Sequence, residues 1–195
     1  MKKYFLLFGL AVFGFISTNA QVELKGLIGT NFANFSNLKQ GENVSGRAGY
    51  QFGGGVLIGD KFYVEPGIQF GRSSRTITVA DGEISGDVEF DQNFVKIPVY
   101  AGYHILGHES DIFALRLFAG PAVLIPGKIK KGSDHISKDN IANTVWAADV
   151  GVGLDILFLF LEFNYEHSFT DHFTDGTSDA KHNAFVINAG IHLDF

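Results

Sequence analysis

Apolar side chains recur at every second position along most of this chain, and no apolar run after residue 20 is long enough to cross a bilayer as a helix. Period two is the mark of a strand with two unlike faces. The last segment shows it best. Phe185, Ile187, Ala189, Ile191, Leu193 and Phe195 alternate with Val186, Asn188, Gly190, His192 and Asp194. Seven earlier segments read the same way, at about 22–35, 46–58, 61–71, 94–104, 112–124, 144–156 and 158–169. In the first, Val22, Leu24, Ile28 and Phe32 oppose Glu23, Lys25, Gly29 and Asn31. In the third, Phe62, Val64, Ile68 and Phe70 oppose Tyr63, Glu65, Gly67, Gln69 and Gly71.

The connections alternate too. Gly59-Asp60, Leu106 to Asp111 and a turn near Leu157 are short, whereas about 36–45, 72–93, 125–143 and 170–183 are long and polar. Short turns at one end and long loops at the other are the arrangement of an outer-membrane barrel. The expected fold is therefore all-β, an eight-stranded antiparallel up-and-down transmembrane β-barrel. An even strand count puts both chain ends on the periplasmic side.

Export is expected from the N-terminus. Lys2 and Lys3 precede an apolar stretch from Tyr4 to Ile16, and Ser17-Thr18-Asn19-Ala20 offers a small residue before a cut at Gln21. This is the pattern of a secretory signal, shorter than the ~20 residues of a spanning helix. The expected organisation is thus a signal over 1–20 and one barrel domain over 21–195, in a Gram-negative outer membrane. The chain has no cysteine, so an exported protein of this size must hold together without disulfides. Removing Lys2 and Lys3 from the 15 basic residues leaves 13 against 21 acidic ones, a formal charge of −8. Nucleic acid, which needs a basic footprint, is excluded as a partner.

Alternation does not say which face looks outward; the 24 glycines do. Gly29, Gly49, Gly53, Gly55, Gly67, Gly71, Gly102, Gly120, Gly151, Gly153 and Gly190 share the face that carries the charges. An eight-strand barrel is just wide enough for side chains to fill it, so a crowded polar interior needs small residues beside large ones. The apolar face then meets lipid, with Tyr50, Tyr103, Trp146, Tyr165 and Phe195 as candidate interfacial girdles.

Several stretches carry a family likeness. They are Gly26-Leu27-Ile28-Gly29-Thr30-Asn31-Phe32-Ala33-Asn34-Phe35, Phe62-Tyr63-Val64-Glu65-Pro66-Gly67, Val95-Lys96-Ile97-Pro98-Val99-Tyr100 and Phe118-Ala119-Gly120-Pro121. In this order they resemble the PorT-like outer-membrane β-barrel family over essentially the whole chain after residue 20. The resemblance implies a barrel fold and no single activity. The closing strand, with Phe185, Ile187, Ile191, Leu193 and Phe195, resembles the signal that such barrels offer to the barrel-assembly machinery.

The inward charges are the first candidate site. Counted from the short turns, Glu65, Arg116 and Glu162 fall in one layer, and Gln69, Lys96, Asp149 and Glu166 in a higher one. A salt-bridge network that plugs the barrel is preferred over a narrow ion path, because buried charges must be paired. His167, Asp171, His172, Asp175, Asp179 and His182 gather at the last long loop. Their spacing fits no defined metal loop, so a solvated loop is expected there. Ser168 with His167 and Asp171 could be drawn into a hydrolytic set, yet no nucleophile motif accompanies them.

No enzyme activity, cofactor or metal is expected. Two function classes stay open. One is a non-catalytic surface barrel whose loops bind an unknown extracellular ligand or support the envelope. The other is a narrow channel or accessory of a surface-protein secretion system.

Overall fold

The computed structural model describes residues 21–36, 42–81, 84–107, 112–131, 144–170 and 181–194. Eight antiparallel strands in chain order form a closed barrel, with no helix among the described residues. They are β1 (Val22–Ser36), β2 (Glu42–Gly59), β3 (Phe62–Asp81), β4 (Ile84–Leu106), β5 (Phe113–Lys131), β6 (Val145–Ile156), β7 (Leu159–Ser168) and β8 (Lys181–Asp194). Closure comes from β1 meeting β8, from Glu23↔Asp194 to Ser36↔Lys181. A closed sheet leaves no ladder edge in hydrocarbon. The described ends of the chain lie beside the short turns, since Gly59 N–H donates to the Gln21 carbonyl at 3.0 Å.

The greasy face is outside. Ile28, Phe52, Phe62, Phe70, Leu117, Trp146, Val150, Phe163, Phe185 and Ile191 are all exposed, while Lys25, Glu65, Lys96, Arg116, Asp149 and Glu162 are buried inside. Phe32, Tyr50, Phe70, Trp146 and Phe185 stand exposed towards the long-loop end, with Tyr165 against Phe185 at 5.0 Å. Tyr103 packs on Phe62 at 4.6 Å near the opposite end. On β3 the outward apolar series stops after Phe70, and Arg72 pairs with Asp91 at 3.5 Å just beyond it. Phe195 lies outside the described residues, as does the segment 1–20.

The interior is less uniformly polar than the glycine-and-charge pattern suggests. Leu57, Tyr63, Tyr100 and Phe118 form a buried apolar cluster, and Ala122, Leu124, Val145 and Ala147 form another towards the long-loop end. Ala33, Ala184 and Val186 close the opposite wall at that level. A narrow cylinder excludes bulk water, so apolar side chains fill the space that ion pairs leave.

Three of the long connections are shorter than the polarity of their sequence implies. The stretch 72–93 is mostly strand, because β3 runs to Asp81 and β4 starts at Ile84, paired through Asp81↔Ile84. Likewise β2 begins at Glu42 and β5 continues to Lys131. Thr, Val, Ile and Phe in these stretches favour sheet, and a polar strand is stable when it stands above the membrane in water. The walls are consequently unequal: β2 to β5 have 18, 20, 23 and 19 residues, against 12, 10, 14 and 15 for β6, β7, β8 and β1.

Candidate functional site: the charged interior

Five ionised side chains from five strands meet above the short turns. Lys25 Nζ on β1 donates to Glu65 on β3 at 2.8 Å and to Glu162 on β7 at 2.5 Å. Arg116 on β5 donates through Nε and Nη2 to both oxygens of Asp155 on β6, at 2.7 and 2.9 Å. The same guanidinium reaches Glu162 at 3.0 Å and Glu65 at 3.5 Å. All five groups are at least nine-tenths buried. Bidentate pairing suits Arg, whose planar fork matches a carboxylate. Two rings line this floor: Lys25 lies 4.5 Å from the Phe160 centroid, and Arg116 lies 5.6 Å from Phe160 and 6.0 Å from Tyr63.

The floor is built twice. Tyr63 on β3 faces Gly102 on β4, with Glu65 two residues along β3 and His104 two residues along β4. Phe160 on β7 faces Gly190 on β8, with Glu162 and His192 at the same offsets. The next strand then supplies the cation in the same register, Arg116 opposite His104 and Lys25 opposite His192. Each histidine also clasps a short turn, His104 Nδ1 meeting the Asp60 carbonyl at 2.8 Å and His192 Nε2 the Leu157 carbonyl at 2.7 Å. Leu157 needs the clasp more: its φ of 56° lies in the left-handed region that non-glycine residues avoid. Its counterpart in the other turn is a glycine, Gly59, with φ 140°.

Glycine makes the large inward residues possible. A Cβ at Gly102 would overlap the Tyr63 ring, one at Gly151 the Phe118 ring, one at Gly190 the Phe160 ring and one at Gly153 the Arg116 side chain. Each bulky group lies on the bare backbone of the strand beside it. This is how a barrel of small diameter holds four such side chains in its interior.

A second ionic layer stands nearer the long loops. Lys96 Nζ on β4 contacts Asp149 on β6 at 2.7 Å and Glu166 on β7 at 2.5 Å. The Tyr100 hydroxyl donates to Asp149 Oδ2 at 2.6 Å. Gln51 donates to Gln69 at 3.1 Å and to Asn188 at 2.9 Å, forming a neutral amide cluster on the facing wall. Among the described residues, Asn31 Oδ1, Asp149 Oδ1 and Asn164 Oδ1 are buried without a protein partner. Buried acceptors of this kind are ordinarily met by interior water.

Glu65, Arg116 and Glu162 lie together in the lower layer, and Lys96, Asp149 and Glu166 in the upper one. Gln69 belongs with the amides rather than with Lys96. Two members were missed: Lys25 and Asp155 also belong to the floor. Their inward phase was legible, but their partnership depends on strand stagger, which places Lys25 of β1 across from Glu65 of β3. Phe185, Ile187, Ile191 and Leu193 lie on the lipid face of β8. Ser168 is fully buried while His167 sits on the other face of β7, its Nδ1 2.6 Å from Asn183 Oδ1. Successive strand residues point to opposite faces, so these two cannot serve one reacting centre. Asp171, His172, Asp175 and Asp179 lie outside the described residues, as does the side chain of His182. No group of three His, Cys, Asp or Glu suited to a metal ion occurs among the described residues.

A closed cylinder that is apolar outside and ionic inside is a transmembrane β-barrel of the outer membrane. The chain belongs to the outer membrane protein β-barrel domain family, whose sequence profile matches residues 17–174. Neisserial surface protein A superposes with a TM-score of 0.51 at 11% identity, covering 89% of this chain and 99% of that one. The attachment invasion locus protein Ail of Yersinia pestis superposes with a TM-score of 0.46 at 14% identity, covering 89% and 97%. No curated protein sequence matches the chain.

Proposed function

We propose that this chain is a non-conducting, non-catalytic surface barrel of the PorT-like kind, whose work lies in what its outer end presents. The observation that carries the reading is Arg116. From β5 it ties Asp155, Glu162 and Glu65 on three other strands, while Lys25 ties two of the same acids from β1. A cross-brace of this kind fills the lumen where a pore would need water. Breaking it strands several buried charges at once. The segment 1–20 is taken as the export signal, and both chain ends are placed in the periplasm with the short turns. The lipid-facing strand from Phe185 to Phe195 is assigned to recognition by the barrel-assembly machinery.

The test is planar-bilayer recording on the refolded full chain. Silence is expected, with cation-selective current appearing in Arg116→Ala, because the two ionic layers then keep the carboxylates of Glu65, Asp155, Glu162, Asp149 and Glu166 against Lys25 and Lys96. The second reading, a narrow channel or secretion accessory, draws on the buried acceptors that call for interior water. Steady unit current from the unaltered chain would decide for it.

A further inference from the structure

The repeated floor differs between its halves at one place on the short-turn rim. His192 and His104 hold equivalent positions, each opposite the cation of the next strand, Lys25 for His192 and Arg116 for His104. Two residues before Lys25 on β1 stands Glu23, and two residues before Arg116 on β5 stands Ala114. One histidine therefore has a carboxylate beside it where its twin has a methyl group. Both lie at the rim itself: His192 N–H donates to the Phe158 carbonyl and His104 N–H to the Lys61 carbonyl, each at 2.9 Å in a short turn.

The consequence lies in the ring protons. His104 Nδ1 meets the Asp60 carbonyl, and a neutral ring satisfies that contact with its single N–H. His192 meets an acceptor at each nitrogen, Glu23 Oε2 at 3.1 Å from Nδ1 and the Leu157 carbonyl at 2.7 Å from Nε2. A neutral imidazole has one N–H and one lone pair, so it serves one of these oxygens and turns the lone pair on the other. An imidazolium donates to both. The two side chains are 13% and 15% exposed, so little water stands in for a lost partner.

The other charged groups around the ring are already engaged. Lys25 of β1 is held by Glu65 and Glu162. Asp155 of β6, whose charge also reaches His192, is held by both nitrogens of the Arg116 fork. From β7 comes the Phe160 ring, 6.5 Å away, and on β8 itself Asp194 stands opposite Glu23 in the register. Glu23↔Asp194 is also the last described rung of the seam between β1 and β8. The ring thus spans the end of the contact that closes the cylinder, and it reaches the strained Leu157 besides.

We propose that His192 is a proton-operated latch on the barrel seam. As imidazolium it ties Glu23 of the first strand and the β6–β7 turn to the last strand at once, and loss of one ring proton releases one of the two. The sign follows from which state needs the proton. The latch contributes fully below the ordinary histidine range, while Glu23 is ionised, and its contribution is lost as pH rises through the titration of the folded ring. His104 is no such latch, because Ala114 gives it no acid to hold. The device stands whether or not the lumen conducts.

Two measurements on the refolded full chain test it. The first is nitrogen NMR of histidine-labelled protein in detergent micelles, with the His192 signals assigned by their loss in His192→Phe. Both ring nitrogens of His192 are expected to carry protons at about pH 7, where an ordinary histidine is mostly neutral. The second is the unfolding rate in fixed urea. It should rise about tenfold from about pH 6 to about pH 8.5 in the unaltered chain, and no more than about twofold in Glu23→Gln. That variant keeps the size of the side chain, and its amide N–H can donate to the lone pair of a neutral ring. His104→Gln should keep the tenfold rise. A neutral His192 at about pH 7 overturns the proposal, as does an undiminished rise in Glu23→Gln or its loss in His104→Gln. The ring signals of the unaltered chain decide the matter even where a variant does not refold, because Nδ1 and Nε2 are read directly and any single unprotonated nitrogen refutes the latch.

Discussion

At the short-turn end the two halves of this barrel repeat each other, and at the long-loop end they do not. Tyr63, Glu65, Gly102, His104 and Arg116 have counterparts in Phe160, Glu162, Gly190, His192 and Lys25, register for register. Towards the other end β2 to β5 rise as a tall wall, while β6 to β1 stop short. The upper ion pairs sit on one side, where Lys96 meets Asp149 and Glu166, and amides occupy the other. The lesson concerns constraint. A floor inside hydrocarbon must satisfy every charge and fill every gap, which leaves few solutions, and this one is used twice. An outer rim in water has no such demand and is free to diverge.

The repeat can be broken at its cations, where the largest effects are expected. Arg116→Ala takes both charge-assisted hydrogen bonds from Asp155 and one partner from Glu65 and Glu162. It should destabilise the barrel by about 3–5 kcal/mol in urea titrations from lipid vesicles. Lys25→Ala leaves both glutamates in reach of Arg116 and should cost about half as much. Equal losses would mean that Asp155 does not distinguish the two halves.

The glycines sharpen the comparison further. Gly102→Ala and Gly190→Ala each overpack the floor and should cost about 1–3 kcal/mol. At Gly102 the three atoms nearest the added Cβ all belong to Tyr63, so Tyr63→Leu should recover most of the loss. At Gly190 the carbonyl of Gly26 stands in the way as well, and Phe160→Leu should recover little. A double-mutant cycle at each site reads the difference.

The turn clasps should matter less. His104→Ala and His192→Ala each lose one hydrogen bond to a carbonyl, worth about 1 kcal/mol. His192→Ala should be the larger of the two, because its ring also meets Glu23 at 3.1 Å and supports the strained Leu157. Leu157→Gly should narrow the gap between them, as thermal melts of the four variants would show. The smallest effect is expected at the rim. Replacing residues 76–89 by an Asn-Gly turn should change stability by less than about 1 kcal/mol, since that hairpin stands outside the membrane. A loss as large as that of Arg116→Ala would make the tall wall part of the fold's foundation.

Much of this was legible in the residues. Eight strands and their inward and outward faces follow from period two, because a one-residue slip would turn every greasy side chain inward. The upper strand extensions were not, because polar strands in water look like loops when only hydrophobic alternation is followed. The apolar cluster of Leu57, Tyr63, Tyr100 and Phe118 was hidden for a related reason: alternation marks a residue as inward without saying what it rests on.

The chain by itself determined which side chains face lipid and which are shut inside, since that is a property of each strand alone. Only the tertiary structure decided who meets whom. Arg116 joins Asp155, and Lys25 joins both Glu65 and Glu162, because closure and stagger bring distant strands to one height. Pairing across a cylinder is a relation among strands, and no strand carries it alone.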